Sequence, residues 1–123
     1  MKTFFSTLLV VALLFIGNLN LQAQSNLIRN AEEGDGLIVS ETVFKMESNT
    51  LTNYMKHLYK YDDNKQRIED EVMKWNGVKE EWEKDRCMRY TYTETSVTTE
   101  YYTWNKKKKE YILVPEMTIT MDK

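Results

Sequence analysis

The sequence predicts an all-β fold, an antiparallel meander of about six strands that forms an open twisted sheet or a half-barrel. Three observations support this prediction. Runs of β-branched and aromatic residues alternate with turn-forming residues along the chain. The links between these runs are short, as in β-hairpins. A segment containing a Trp-Asn pair also recurs 29 positions later, which predicts a sheet built from repeated hairpins.

The first segment, residues 1–23, has the pattern of a cleavable signal peptide. A basic residue at Lys2 precedes an uncharged apolar run over 4–17 and a polar exit that ends at Ala23. The run is shorter than the roughly 20 residues that cross a bilayer, which disfavours a permanent anchor. We expect cleavage before Gln24, export to the periplasm or the cell exterior, and no membrane span in the processed protein. Because no cysteine follows the cut, we do not expect a lipoprotein.

The second segment, residues 24–36, is polar and ends in Asp35-Gly36, a turn signal. We predict that it is a lead-in outside the sheet. The third segment, residues 37–123, is predicted to be a single β-rich domain. Its six expected strands cover 37–46, 51–61, 66–75, 81–93, 97–104 and 110–121. Pro115 lies inside the last of them and predicts a sheet edge or a bulge.

Composition and charge argue against one function class and indicate how the fold is stabilised. The 17 basic and 19 acidic residues give a net charge of −2, which argues against a general nucleic-acid binder. The single cysteine, Cys87, cannot form an intrachain disulfide, so the fold depends on packing alone. Tyrosine and tryptophan are abundant, and both suit half-buried surfaces because each ring carries a polar group.

A helix over residues 69–88 is the main alternative for the secondary structure, since charged residues are dense there. The Asn76-Gly77 pair interrupts the middle of this stretch, and helical spacing would scatter its aromatic residues around the axis. The all-β interpretation is therefore preferred.

The internal repeat predicts which residues face each other. A shift of 29 positions superimposes Trp-Asn, four intervening residues and a Glu-aromatic pair, whereas the two Tyr-x-Tyr sequences superimpose at a shift of 31. The difference implies that one turn is two residues longer than its counterpart. If the four intervening residues form each turn, specific residues lie opposite each other. These pairs are Trp75 with Trp82, Trp104 with Tyr111, and Glu71 with Arg86.

The sequence contains a Tyr-x-Tyr-Asp turn, then a strand that ends in Trp-Asn, and a second aromatic residue seven positions later. In this pattern it resembles domain of unknown function 3836, a family of short secreted proteins from Bacteroidales. The resemblance implies an exported β protein and supplies no catalytic residue. The residues that carry it are Tyr59, Tyr61, Asp62, Trp75, Asn76, Trp82, Tyr90, Tyr92, Trp104, Asn105 and Tyr111.

The residues able to support catalysis or metal binding form no recognised motif. His57 and Cys87 are the only residues of their types, and together they could form a Cys-His nucleophilic pair, although no motif surrounds either of them. The sequence Asp62-Asp63-Asn64 lacks the glycine and distal glutamate of a calcium loop, so we predict a hairpin turn. We expect no cofactor and no metal. The four lysines at 106–109 are interpreted as a soluble turn, with contact to an anionic surface as the alternative.

The aromatic residues give the main functional hypothesis. If several share an exposed face, that face can stack on sugar rings or bury a protein partner, and if they do not, they form the core. The candidate interaction surface consists of Trp75, Trp82, Trp104, Tyr111, Tyr59, Tyr61, Tyr90 and Tyr92. We therefore predict a non-enzymatic interaction module that binds a glycan or an envelope protein. A structural homo-oligomer is the first alternative, and a small envelope hydrolase that joins His57 to carboxylates is the second.

Overall fold

The computed structural model of the protein describes residues 26–123. The chain forms one open, antiparallel sheet in which each strand from the first to the seventh pairs with the next and the eighth pairs with the sixth, and the described residues contain no α-helix. The predicted all-β meander is therefore confirmed, and the sheet is not closed into a barrel. The strands are β1 (Leu27–Gly34), β2 (Leu37–Glu47), β3 (Thr50–Tyr61), β4 (Arg67–Asn76), β5 (Glu81–Tyr92), β6 (Ser96–Asn105), β7 (Glu110–Leu113) and β8 (Ile119–Asp122).

The strand count exceeds the prediction at both ends of the domain. The segment 24–36 was expected to be a lead-in, but Leu27–Gly34 forms β1, an edge strand paired along its length with β2. Its charged residues misled the prediction, because an edge strand tolerates a polar sequence. The predicted last strand is two strands, since Pro115 begins a 3-10 turn between β7 and β8, and both pair with β6. The predicted signal peptide lies outside the described residues.

Local sequence determines each turn. Asp35-Gly36 and Ser48-Asn49 have positive φ at both positions, the geometry of the type I′ turns that join hairpins with two-residue loops. The two Trp-Asn turns are alike, since Asn76 and Asn105 each accept backbone N–H groups through the side-chain Oδ1. The link between β3 and β4 has five residues and that between β5 and β6 has three. This difference of two residues confirms the length change inferred from the repeat.

The sheet is a single layer with little interior. Among the described residues, only Val43, Val72 and Cys87 are buried apolar side chains, and Asp70 is the one buried charged residue, 6% exposed. Each of the first four strand pairs contains a β-bulge, a feature that increases local twist. Because the sheet is a single layer, most of the aromatic side chains are half-buried, and each lies on one of its two faces.

Candidate functional site

The strand registers assign every side chain to a face. Residues directly opposite each other in an antiparallel pair share a face, and successive residues along a strand alternate. Tyr59 lies opposite Asp70, and Asp70 lies opposite Met88, so these three side chains are on one side of the sheet. Glu71 lies opposite Cys87, so these two are on the other side.

The eight aromatic residues predicted to form one surface are divided equally between the two faces. We name the side that carries Tyr59, Tyr61, Tyr90 and Tyr92 the tyrosine face. We name the opposite side, which carries Trp75, Trp82, Trp104 and Tyr111, the tryptophan face. The structure therefore provides two aromatic faces of different composition, and their contacts decide which is available to a partner.

The tryptophan face contains the two predicted cross-strand pairs, and both are confirmed. Trp75 lies opposite Trp82 with ring centroids 5.1 Å apart, and Trp104 lies opposite Tyr111 with centroids 5.0 Å apart. The interplanar angles of 67° and 69° are edge-to-face arrangements, which aromatic pairs favour. Each pair adjoins its own four-residue turn, so it stabilises that hairpin.

Two lysines cover rings of these pairs. Lys56 on β3 places its Nζ 4.9 Å from the Trp82 ring centroid, and Lys84 on β5 places its Nζ 5.2 Å from that of Trp104. Lys84 also pairs with Glu71 at 3.2 Å, and Glu71 accepts a 2.6 Å hydrogen bond from the Tyr111 hydroxyl. The aromatic and charged groups of this face are thus engaged with one another.

The predicted pairing of Glu71 with Arg86 is wrong. Glu71 lies opposite Cys87, and Arg86 lies opposite Val72. The register shifts between Val72 and Met73, where β5 has one extra residue, Asp85. The pairing deduced from the turn therefore holds up to the bulge and is offset by one residue beyond it.

Cys87 is buried in the tryptophan face. Burial, followed by the charge of Glu69, raises the pKa of its thiol to about 11, which disfavours the nucleophilic thiolate. His57 lies opposite Val72 and Glu41, on the tyrosine face. The sheet therefore separates His57 from Cys87, and the two cannot form a nucleophilic pair.

The centre of the tyrosine face is a hydrogen-bonded polar cluster. The His57 Nδ1 and Asp70 Oδ1 atoms are 2.9 Å apart, and the His57 ring stacks on Tyr59 with centroids 5.7 Å apart. The Tyr59 hydroxyl donates to Glu41 at 3.1 Å. Burial, followed by the Glu41 charge, raises the pKa of Tyr59, so its hydroxyl remains a donor across the ordinary pH range.

Arg67 lies beside this cluster and is surrounded by tyrosines. Its guanidinium is 3.8 Å from the Tyr59 ring centroid and 5.8 Å from that of Tyr61, and it donates a 3.4 Å hydrogen bond to the Tyr61 hydroxyl. The Tyr92 hydroxyl donates to the Arg67 carbonyl at 2.6 Å. The Arg67 Nε is buried and has no hydrogen-bond partner among residues 26–123.

Arg67 also differs from the other arginines of the described region, each of which pairs with a carboxylate. Those ion pairs are Arg29 with Glu41 at 4.0 Å, Arg86 with Asp85 at 2.6 Å, and Arg89 with Glu69 at 3.3 Å. Arg67 has no carboxylate oxygen within 4.0 Å anywhere in residues 26–123. It is thus a half-buried cation with spare donors on an aromatic surface.

The sequence does not indicate that Arg67 lies on the tyrosine face, because of a β-bulge. By simple alternation along β4, Arg67 would share the face of Glu69 and Glu71. A bulge between Lys60 and Tyr61 inserts Ile68 into β4 and rotates Arg67 to the tyrosine face. No feature of the sequence around Arg67 marks that bulge.

The remaining candidates play structural or solvent-exposed roles. The Asp62 Oδ1 accepts hydrogen bonds from the backbone N–H groups of Asn64 and Gln66, both at 2.9 Å, which confirms the predicted hairpin turn. In residues 26–123, no cluster of three or more His, Cys, Asp or Glu side chains has a geometry suited to a metal ion. The lysines at 106–109 are exposed at the turn between β6 and β7. The same range includes no helix of sufficient length and hydropathy to span a membrane.

Comparison with known protein families identifies the family of this chain. The sequence pattern of a family described as "Family of unknown function (DUF3836)" matches residues 1–122. The chain belongs to this family. The resemblance to this family that the sequence indicates is thereby confirmed. No curated protein matches the chain.

Three solved structures have the same fold. A crystal structure of a DUF3836 family protein from Bacteroides vulgatus is 68% identical, with a TM-score of 0.78 over 80% of this chain and 100% of that chain. A second family member, from Parabacteroides distasonis, is 25% identical, with a TM-score of 0.68 over 79% and 88% of the two chains. A Bacteroides fragilis protein described as having unknown function is 26% identical, with a TM-score of 0.68 over 76% and 70%. The similarity therefore identifies the fold and the family.

Proposed function

We propose that this protein is an exported, non-enzymatic interaction module that binds a glycan or a protein partner through the tyrosine face. The observation that carries the proposal is the environment of Arg67. A half-buried guanidinium without a carboxylate partner lies among half-exposed tyrosine rings, so both charged and aromatic contacts are available to a partner.

The contacts of the tryptophan face support this choice by contrast. Its rings pack edge-to-face against each other, and the ammonium groups of Lys56 and Lys84 lie over them. A partner that stacked on Trp82 or Trp104 would first have to displace these lysines. On the tyrosine face Arg67 lies over Tyr59, but no cation of residues 26–123 lies over Tyr90 or Tyr92, and Arg67 retains donors for a partner.

A hydrolase receives less support. The hydrogen-bonded His57–Asp70 pair is the kind of base–carboxylate pair that catalysis uses. The residues opposite the two members are Val72, Glu41, Tyr59 and Met88, none of which is a serine, threonine or cysteine nucleophile. Cys87 lies on the other face. We therefore assign the pair to stabilisation of the buried Asp70 carboxylate.

Self-assembly is the second candidate function, favoured by a cluster of exposed apolar residues at the C-terminal edge. The exposed side chains are Ile112, Leu113, Met117, Ile119 and Met121, with exposures from 36% to 65%. Light scattering at increasing protein concentration tests this function. A dimer that Met121→Lys and Ile119→Lys dissociate would support it, whereas a monomer at every concentration would exclude it.

The binding proposal is tested with two matched tyrosine variants. Tyr90 and Tyr102 lie on adjacent central strands but on opposite faces. Processed wild-type protein, Tyr90→Ala and Tyr102→Ala are each applied to a glycan panel and to envelope extracts, after thermal unfolding confirms that each is folded. We expect a partner whose binding is lost in Tyr90→Ala and retained in Tyr102→Ala. The opposite pattern, or the absence of any bound partner, would contradict the proposal.

Export is tested separately. N-terminal sequencing of protein recovered from the envelope or medium should begin at Gln24, because the apolar run and the small residue at Ala23 meet the requirements of signal cleavage. Recovery of chains that all begin at Met1 would contradict export by this route.

A further inference from the structure

We infer that Arg67 binds the carboxylate or sulfate group of an acidic saccharide whose sugar ring packs on the tyrosines of the same face. This inference rests on the proposed function, because it names the ligand of the tyrosine face.

The charge and free donors of Arg67 favour an anion. A guanidinium has five N–H donors in a planar fork that matches a carboxylate or sulfate. In Arg67 the only side-chain hydrogen bond to a described residue is the 3.4 Å bond to the Tyr61 hydroxyl. Leaving a buried donor such as Nε unpaired is unfavourable, and stacking on Tyr59 offsets only part of that cost. The remaining donors therefore favour an anionic ligand over a neutral one.

The surrounding surface favours a sugar ring. Tyr59, Tyr61 and Tyr92 already donate their hydroxyl protons to protein acceptors. The Tyr59 ring is already in contact with His57 and Arg67, whereas no cation or aromatic ring of residues 26–123 lies over Tyr90 or Tyr92. The ring faces of Tyr90 and Tyr92 are thus left for a ligand, and an aromatic ring face packs well against the C–H groups of a pyranose. The four tyrosines of this face lie on β3 and β5, two strand spacings or about 10 Å apart, and about 7 Å apart along each strand. The area that these rings span is comparable in size to a disaccharide.

The carboxylates near Arg67 are each engaged elsewhere. Asp70 bonds His57, Glu41 accepts from Tyr59 and pairs with Arg29, and the Asp62 Oδ1 accepts two turn amides. Their charges oppose an incoming anion at longer range, whereas Arg67 attracts it at contact distance. We therefore expect affinity to depend strongly on the orientation of the acidic group and to decrease as salt is added.

The test compares two acidic tetrasaccharides with their neutral forms by calorimetric titration of the processed protein. One pair is tetragalacturonate and its methyl ester, and the other is a κ-carrageenan tetrasaccharide and its desulfated form, so the pairs distinguish carboxylate from sulfate. We expect at least one acidic member to bind tenfold or more tightly than its neutral form. Equal binding within both pairs, or equally tight binding of a polyglutamate peptide, would overturn the inference.

Arginine variants and nuclear magnetic resonance locate the site. Arg67→Gln should weaken binding of the acidic member at least tenfold, whereas Arg89→Gln, which alters an equivalent arginine–tyrosine stack on the opposite face, should change it less than twofold. In the wild-type protein, which avoids any folding defect, the ligand should shift the tyrosine ring resonances and leave the three tryptophan indole N–H signals unchanged. Indole shifts, or an unaffected Arg67→Gln, would overturn the inference. If Tyr90→Ala abolishes binding of a neutral partner while Arg67→Gln does not, only the acidic-ligand inference fails and the proposed function stands.

Discussion

The two faces of this sheet use aromatic residues for different purposes. On the tryptophan face, each cross-strand pair is covered by a lysine, and Tyr111, Glu71 and Lys84 form a continuous network. On the tyrosine face, the rings surround Arg67, which has no carboxylate partner among residues 26–123. The comparison teaches that an abundance of aromatic residues does not by itself identify a binding surface. The contacts each ring already makes decide whether it is available.

The two faces also differ in how they follow the internal repeat. The tryptophan face repeats its aromatic pair, since Trp75 with Trp82 recurs 29 positions later as Trp104 with Tyr111 in the same edge-to-face arrangement. The tyrosine face does not repeat its central charge, because the position equivalent to Arg67 at the 29-residue shift is Ser96. A duplicated hairpin thus supplies the scaffold, and a residue that departs from the repeat supplies the candidate site.

The largest expected effect is on the cross-strand pairs. Trp75→Ala and Trp82→Ala should each lower the free energy of unfolding by about 2–3 kcal/mol, because a half-buried ring and its partner contact are lost. The double variant should lose about 0.5–1.5 kcal/mol less than the sum of the single losses. Chemical denaturation measures this cycle. The control combines Trp75→Ala with Tyr111→Ala, which lie in separate hairpins and should have additive effects. A coupling energy of zero between Trp75 and Trp82 would contradict the claim that this pair stabilises its hairpin.

A second test uses pH to probe the interior of the tryptophan face. The Cys87 thiol has an ordinary pKa near 9.0, raised in the fold to about 11 by burial and then by Glu69. The unfolded chain therefore loses this proton first, so the stability contributed by the neutral thiol is complete below pH 9 and is lost as pH rises through 11. Urea unfolding should show wild type losing on the order of 2 kcal/mol more than Cys87→Ala over this interval. If the free energies of unfolding of the two proteins changed in parallel with pH, the pKa of the Cys87 thiol would not be raised in the fold.

A third and smaller effect concerns single hydroxyl groups. Tyr111→Phe should cost about 1 kcal/mol, because it removes a 2.6 Å hydrogen bond to the Glu71 carboxylate. Burial and then that bond raise the pKa of Tyr111, so the stability it contributes is present below pH 10 and decreases above it; the variant should lose less stability there. Tyr90→Phe is the matched control on the tyrosine face, and we expect almost no cost. Equal costs for the two variants would remove the distinction between the faces at the level of hydroxyl groups.

Much of this architecture could be predicted from the sequence, and the failures have physical causes. Turn residues and aromatic spacing were sufficient to place β2 to β6 and the pairs Trp75–Trp82 and Trp104–Tyr111. Local patterns do not encode β-bulges, so the partner of Glu71 was wrong and the face of Arg67 was not foreseen. Edge strands carry polar sequences, so β1 was taken for a lead-in.

Only part of the candidate surface could be predicted from the sequence. Its eight aromatic residues were identified, but their division between two faces depends on register across several strands. Each bulge shifts the register of the strands that follow it, so the face of a residue can be assigned only when all strand pairings are known. The charge that distinguishes the tyrosine face emerged only from the contacts of Arg67.

The most direct test of the account is the free energy of unfolding of Tyr90→Ala measured beside that of Trp104→Ala. Both side chains are half-buried aromatic residues on central strands, and they lie on opposite faces. If the tryptophan face holds the hairpins together while the tyrosine face is available to a partner, Trp104→Ala should lose at least about 1 kcal/mol more than Tyr90→Ala. A loss in Tyr90→Ala equal to or larger than that in Trp104→Ala would contradict the account.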